Sequence, residues 1–470
     1  MNDSTNAFRI VVISVAAALV VPALFMDGMF ADGMLYSTVA KNLAAGHGTW
    51  WDPHFTVFMH DHFHEQPPLV IWLQSFFFLF APHSIYPERF YDLVLMAVNT
   101  WLIMRFWRTI FYGNADWQKL DWLPVLLFFI MPVTFWGFDN NIIEITMSAF
   151  VLASATAFFR AFVHEKKVRL NVFLGITWLI AATLCKGIQG GFTLVLPLLL
   201  WLAGIKLSFG KAFRATLVIT GGFVLFYGII FLFPAVRHAY VVWFNQRIVT
   251  TFSGVNNTSG SRFHMLFELL LDVLPPAGFL AFATLLSRQW PVKNLAAEER
   301  KNLVFILLLA LAGSLPLMVT KEQRGFYLVT ALPFYAVFFA ILCAPAFVMR
   351  VKKIGAAAGK LILSAGILIL CATIVATFIF AGKPKRDAEK ISDITAIGQV
   401  TGGNTILGCD RAMVTDYAVV SYCARLYNIS ITDDTTMSGI SYKISFSSQT
   451  PTGFSPVNVK TKEIFLFRKN

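Results

Sequence analysis

Acidic residues are scarce in this chain: 26 Asp and Glu stand against 38 Lys and Arg, and all charged residues together make up 14% of 470. So little charge excludes a soluble globule of ordinary usage. The five cysteines have scattered spacings, which excludes a disulfide framework and a zinc motif. Cys185, Cys343 and Cys371 fall inside apolar runs, whereas Cys409 and Cys423 lie in a polar tail where they could pair. No repeat of fixed period and no low-complexity tract is present. The first apolar run, FRIVVISVAAALVVPALFMDGMF, lacks a clear small-x-small cleavage site, so it reads as an uncleaved first helix.

What the chain does contain is hydrocarbon. Hydrophobic residues are 57% of the total, with 47 Phe. About eleven apolar runs are long enough to span a bilayer. They lie at 8–26, 90–107, 121–138, 142–163, 170–185, 189–205, 214–235, 265–286, 302–319, 326–346 and 361–381. LVIWLQSFFFLFA after Pro68 is shorter and reads as an interfacial or re-entrant helix. The net charge of +12 is then a topogenic signal, not a nucleic-acid footprint.

Parity tests this assignment. With the N-terminus inside and the post-Pro68 helix not crossing, the inner loops collect Arg105, Arg108 and Lys119; Arg160, Lys166, Lys167 and Arg169; and Lys206, Lys211 and Arg214. Farther on they collect Arg288, Lys293, Arg300, Lys301, Arg350, Lys352, Lys353 and Lys360. Nearly every basic cluster shares one face, as the positive-inside rule requires. The outer face receives 27–89, 139–144, 186–188, 236–264, 320–325 and the tail after Lys383. The expected architecture is mainly α: a membrane domain over 1–382 and a small soluble α/β domain over 383–470. Alternating stretches in the tail, SYKISFS and KEIFLFR, read as strands.

The long first outer loop, 27–89, carries the densest chemistry. Tyr36, Val39, Ala40 and Leu43 recur at helical spacing up to Gly46, with Asp32 just ahead, placed to cap that helix. HDHFHEQPP follows. Alternation of His60, His62 and His64 in an extended stretch puts three imidazoles on one side, with Glu65 adjacent. These residues are the candidates for a divalent metal, the one cofactor the sequence admits. The competing role is a polar cavity wall, with Glu65 set by the rigid Pro67-Pro68 step.

Asp32-x-x-x-Tyr36 with Ala40 and Gly46, followed by Glu65-Gln66-Pro67-Pro68-Leu69, resembles the first-loop pattern of membrane glycosyltransferases of the GT-C fold. The resemblance is to the branch of aminoarabinose transferases and protein O-mannosyltransferases, which carry Asp-Glu-x-x-Tyr and Glu-Lys-Pro-Pro-Leu or His-Pro-Pro-Leu. FDNNIIEITMSAF, LCKGIQGGFTLVLP and KEQRGFYLVTALPFYA resemble later landmarks in the same order. Two positions depart: Gly33 stands where the family has its second acid, and Gln66 where it has a phosphate-contacting Lys. Gln66 can donate to a phosphate but cannot neutralise it.

The resemblance implies transfer of a sugar from a polyprenyl-phosphate donor to a lipid, glycan or protein acceptor at the periplasmic face of a bacterial inner membrane. Asp32 is the implied base, with Glu144 and Asp139 as further acids. Lys186, Lys321, Arg324, Arg247 and Gln66 would meet the donor phosphate, and Tyr36, Glu65 and His64 would position substrate. The alternative class is a transporter or flippase of a lipid-linked substrate. Its marks, paired halves with interrupted mid-membrane helices, are not evident.

Overall fold

The computed structural model describes residues 3–82, 84–250, 263–287, 291–434, 437 and 439–470. Arg288 and residues 251–262 of the expected outer loop lie outside the described residues. Each apolar run is helical, because a backbone in hydrocarbon must satisfy its own polar groups. The helices are α1 (Asp3–Leu24), α2 (Ala31–Ala44), α3 (Leu69–Phe80), α4 (Pro87–Ile110), α5 (Trp122–Phe129), α6 (Pro132–Asp139), α7 (Ile143–Phe162), α8 (Val168–Lys186) and α9 (Leu196–Leu202). There follow α10 (Phe209–Ile230), α11 (Pro234–Trp243), α12 (His264–Ser287), α13 (Ala297–Ser314), α14 (Leu332–Lys353) and α15 (Ala356–Phe380).

Among the described residues, 8 helices are long and apolar enough to cross a membrane, or 9 if the bent pair α5–α6 is one span. That pair breaks by 78° at Met131–Pro132, where proline cannot continue the preceding helix. Two physical points reconcile these numbers with the eleven runs. α4 has 24 residues, about 36 Å at 1.5 Å each, but Arg89, Asp92, Asn99, Arg105 and Arg108 dilute its apolarity. The stretch Val168–Leu202 has 35 residues, and as one rod it would run about 52 Å. Instead Lys206, just past its end, donates to the carbonyl of Val163, just before its start, at 2.8 Å. The stretch therefore goes out as α8 and returns through the 3-10 segment Gly187–Val195 and α9.

The two faces expected from charge parity are separate in space. At one end Arg9 meets Asp121 at 2.8 Å, Arg108 meets the same carboxylate, and Lys352 meets Asp116 at 2.5 Å. There too Arg350 donates to the carbonyl of Leu286 at 2.6 Å, and His164 bonds the carbonyl of Thr109 at 2.7 Å. At the other end the backbones of Asp27 and of Lys383–Lys385 run together, with paired 2.9 Å hydrogen bonds. α1 lies along α15, where Gly366 brings the backbones into close approach at Val11.

The first outer loop holds the short hairpin β1 (Gly48–Thr49) and β2 (Asp52–Pro53). Residues beyond Lys383 form a five-stranded sheet, order β4-β3-β5-β7-β6, from β3 (Ile406–Cys409), β4 (Ser430–Thr432), β5 (Tyr442–Ser445), β6 (Phe454–Pro456) and β7 (Phe465–Lys469). β4, β3 and β5 are parallel, and the β7 pairings are antiparallel. β5 and β7 are the two strands that the alternating stretches announced. Two helices longer than one turn accompany the sheet among the described residues, α16 (Ala388–Thr401) and α17 (Tyr417–Tyr427). α17 docks on the first outer loop. Lys41 donates to the carbonyls of Ala424 and Arg425 at 2.9 and 3.0 Å, and Arg425 pairs with Glu88 at 2.8 Å. The pairing open to Cys409 and Cys423 does not form: both thiols are buried and free, one on β3 and the other on α17.

Candidate active site

Asp32 sits in the first turn of α2, and Phe30 occupies the N-cap position, so the capping role does not hold. The helix start is tied down from outside. Phe30 donates its N–H to the Asn140 side chain at 2.8 Å, and the Asn141 amide donates to the carbonyl of Gly33 at 3.0 Å. α2 lies so close to this turn that a Cβ at Gly33 would overlap the Asn140 carbonyl oxygen. This accounts for the missing second acid: only glycine fits at 33. With its backbone fixed this way, Asp32 faces a cavity of ≈ 530 Å³.

Distant segments converge on this cavity. Lys186 ends α8, and Gly187 follows at φ +75, where the Trp243 ring fills the space a side chain would need. The Lys186 ammonium forms an ion pair with Glu144, which is 1% exposed, and lies 3.8 Å from the Tyr327 ring centroid. Glu144 therefore sits beneath Lys186 and not on the cavity wall. Arg247, on the π-helical turn Phe244–Val249, pairs with Glu65 at 2.5 Å. The other Glu65 oxygen lies 3.3 Å from His60. Arg324, Glu322, Tyr36, Gln66, Phe326, Tyr327 and Tyr417 complete the polar and aromatic wall.

Electrostatics set the protonation of Asp32. Burial pushes the Asp32 carboxyl up to about 6; Lys186 pulls it down, while Glu144 and Glu65 push it up again. A carboxylate poised there can take a proton near neutral pH. Burial also holds the Tyr36 phenol well above its ordinary value, so it stays a neutral hydrogen-bonding group.

Other sequence candidates lie elsewhere. Asp139 pairs with Lys385 at 2.8 Å, where the chain enters the sheet region, and is not on the cavity wall. Lys321 is exposed and likewise off the wall. His64 borders a separate recess with Trp51 and Trp243; Gln66 lines both this recess and the cavity.

The three histidines do not make a ligand set. His60 has φ +51, which breaks the extended stretch, and it turns to Glu65. His62 and His64 both turn to Asp52, at 2.9 and 3.2 Å. Hydrogen bonding to Asp52 raises the His62 pKa, whereas burial lowers that of His64. Among the described residues no group of three or more His, Cys, Asp or Glu could hold a metal ion. The residues do not fit the divalent metal admitted above.

Three polar wall residues, Tyr327, Glu322 and Tyr417, are not among the sequence candidates. Tyr327 lay within a quoted motif, KEQRGFYLVTALPFYA, and its aromatic type was the only signal. Glu322 lies between Lys321 and Arg324 in the sequence, where nothing marks it as a wall residue; it accepts from the Tyr327 hydroxyl at 3.1 Å. Tyr417, at the start of α17, gave no signal.

No protein-family model matches the sequence, and no curated protein does either. Solved structures do. ArnT from Cupriavidus metallidurans bound to undecaprenyl phosphate superposes with a TM-score of 0.65 at 13% identity, over 97% of this chain and 97% of that one. The oligosaccharyltransferase AglB from Archaeoglobus fulgidus, in complex with an inhibitory peptide and a dolichol-phosphate, gives a TM-score of 0.52 at 13% identity, over 93% of this chain and 69% of that one. Likeness at such identity establishes architecture, and on that ground this chain is a multi-pass membrane protein with the GT-C fold.

Proposed function

We propose that the protein transfers a sugar from a polyprenyl-phosphate-linked donor to a lipid, glycan or protein acceptor. The observation that carries this reading is a single cavity in which Asp32 faces Lys186, Arg247 and Arg324, contributed by segments as far apart as α2 and the loop before α14. An acceptor hydroxyl attacks the anomeric carbon and gives its proton to Asp32. The bond from that carbon to the phosphate oxygen breaks, and its electron pair leaves with the polyprenyl phosphate. The three cations stabilise the charge that develops there, and Gln66 donates to it. A phosphate leaving group needs no general acid. The solved structures in complex with undecaprenyl phosphate and a dolichol-phosphate support a donor of this class.

Residues 1–382 form the membrane unit in this reading, and 383–470 a soluble unit on the cavity side. In the same reading the basic loops and the N-terminus are cytoplasmic and the cavity opens at the periplasmic face of a bacterial inner membrane, an orientation that the positive-inside rule supports.

The test compares glycolipids and glycoproteins, by mass spectrometry, from cells carrying the wild-type protein and Asp32→Asn. A modification present with the wild type and absent with the variant, at equal amounts of inserted protein, is expected. A modification that persists with the variant removes Asp32 as base.

A further inference from the structure

The end of the bundle opposite the acidic site carries a second cavity, of ≈ 320 Å³. Arg105 and Arg108 on α4, Arg160 on α7 and Lys166 in the following loop line it, and no acid does. Arg108 is matched by the buried carboxylate of Asp121. Among the described residues, no carboxylate forms an ion pair with Arg105, Arg160 or Lys166. Their contacts are aromatic instead: Arg105 lies 5.1 Å from the Trp101 ring centroid and Lys166 3.6 Å from that of Tyr112. Topogenic charge needs only to reach water, and dispersal over the loops would serve it. Three unmatched cations converging on one cavity repel each other, and a bound anion relieves that repulsion.

A second observation says what kind of anion. An apolar groove of ≈ 330 Å³ continues from the same Trp101, Arg105 and Arg160, between α4, α7 and α8, along Val98, Ala153 and Trp178. α7 and α8 are apolar enough to cross a membrane, which puts the groove between them at hydrocarbon depth. A free phosphate ion would leave it empty. A lipid fills both parts at once, with its headgroup phosphate among the cations and an acyl chain in the groove.

We propose that this cleft is a binding site for an anionic phospholipid of the surrounding membrane, its phosphate on Arg105, Arg160 and Lys166. Nothing in the inference depends on the transfer reaction.

The test uses the purified full-length protein in detergent, titrated with dioleoyl phosphatidylglycerol, dioleoyl phosphatidylcholine or inorganic phosphate, with bound ligand counted by native mass spectrometry. Phosphatidylglycerol is expected to be retained over phosphatidylcholine. The triple variant R105Q/R160Q/K166Q should weaken it by on the order of a hundredfold, since each basic residue contributes several-fold. Should the triple variant misfold, Arg105→Gln alone, at an exposed position, should weaken it by roughly fivefold. Ala153→Phe, which fills the groove, should also weaken phosphatidylglycerol. Equal retention of the two lipids, or phosphatidylglycerol retention unchanged by both Arg105→Gln and Ala153→Phe, overturns the proposal. So does inorganic phosphate that binds as tightly as the lipid while Ala153→Phe has no effect.

Discussion

Lys186 and Glu144, 42 residues apart in the chain, form an ion pair at the edge of the acidic cavity, the carboxylate 1% and the amine 11% exposed. The pair fixes where the positive charge stands, because Glu144 holds Lys186 from below while the ammonium borders the cavity. Removing one partner from a buried pair leaves an uncompensated charge, an effect of about 3–5 kcal/mol, whereas replacing both is far milder. Glu144→Gln should therefore destabilise the protein more than the double variant Glu144→Gln with Lys186→Met. Thermal unfolding in detergent checks the order.

The fit of Gly33 against the Asn140 carbonyl predicts that Gly33→Ala impairs activity through geometry alone, since the added methyl must push α2 away and carry Asp32 with it. A displacement of about 1 Å at a reacting group costs on the order of a hundredfold in rate. The same loss is expected for Gly33→Glu, which places a second acid beside Asp32. Steady-state transfer rates at matched protein levels measure it; undiminished activity in Gly33→Glu contradicts the packing argument.

Asp32 should set the pH dependence. Transfer needs its carboxylate, so the rate should rise with pH and reach half its plateau near 6. The stability effect has the opposite sign. The folded pKa, about 6, lies above the ordinary 3.8, so the folded state holds the proton more tightly. Asp32 thus contributes stability below about pH 4, and that contribution is lost as the pH rises through 6. Asn carries no charge at any pH. Asp32→Asn should lack this loss and unfold at a higher temperature than the wild type above pH 6, while being inactive. Thermal unfolding between pH 4 and 8 follows both branches.

Much of this architecture was legible because hydrocarbon imposes strict local rules. Run length gave the helices, and charge parity separated Arg9, Arg108, Lys206 and Lys352 from Lys186, Arg247 and Arg324, which lie at opposite ends. Asp32, Tyr36 and Glu65 could be read because each lies beside a local signal, a helix start or a Pro-Pro step. Partnership could not be read. That Glu144 supports Lys186, and that Asp139 is taken by Lys385, are contacts across 42 and 246 residues. The His60–His64 alternation failed as a guide because one left-handed residue, His60, turns the chain. Tyr417 reaches the cavity only through the docking of α17 on α2, which Lys41 secures at the end of that helix.

The central claim is that carboxylates from the first outer loop and cations from much later segments form one phosphate-binding, sugar-transferring cavity. A structure of the full-length protein with undecaprenyl phosphate tests it most directly. The account predicts the phosphate within about 4 Å of Lys186, Arg247 or Arg324, at ion-pair range, with Asp32 across the cavity. Phosphate density among Arg105, Arg160 and Lys166 at the opposite end, with the acidic cavity unchanged, would contradict it.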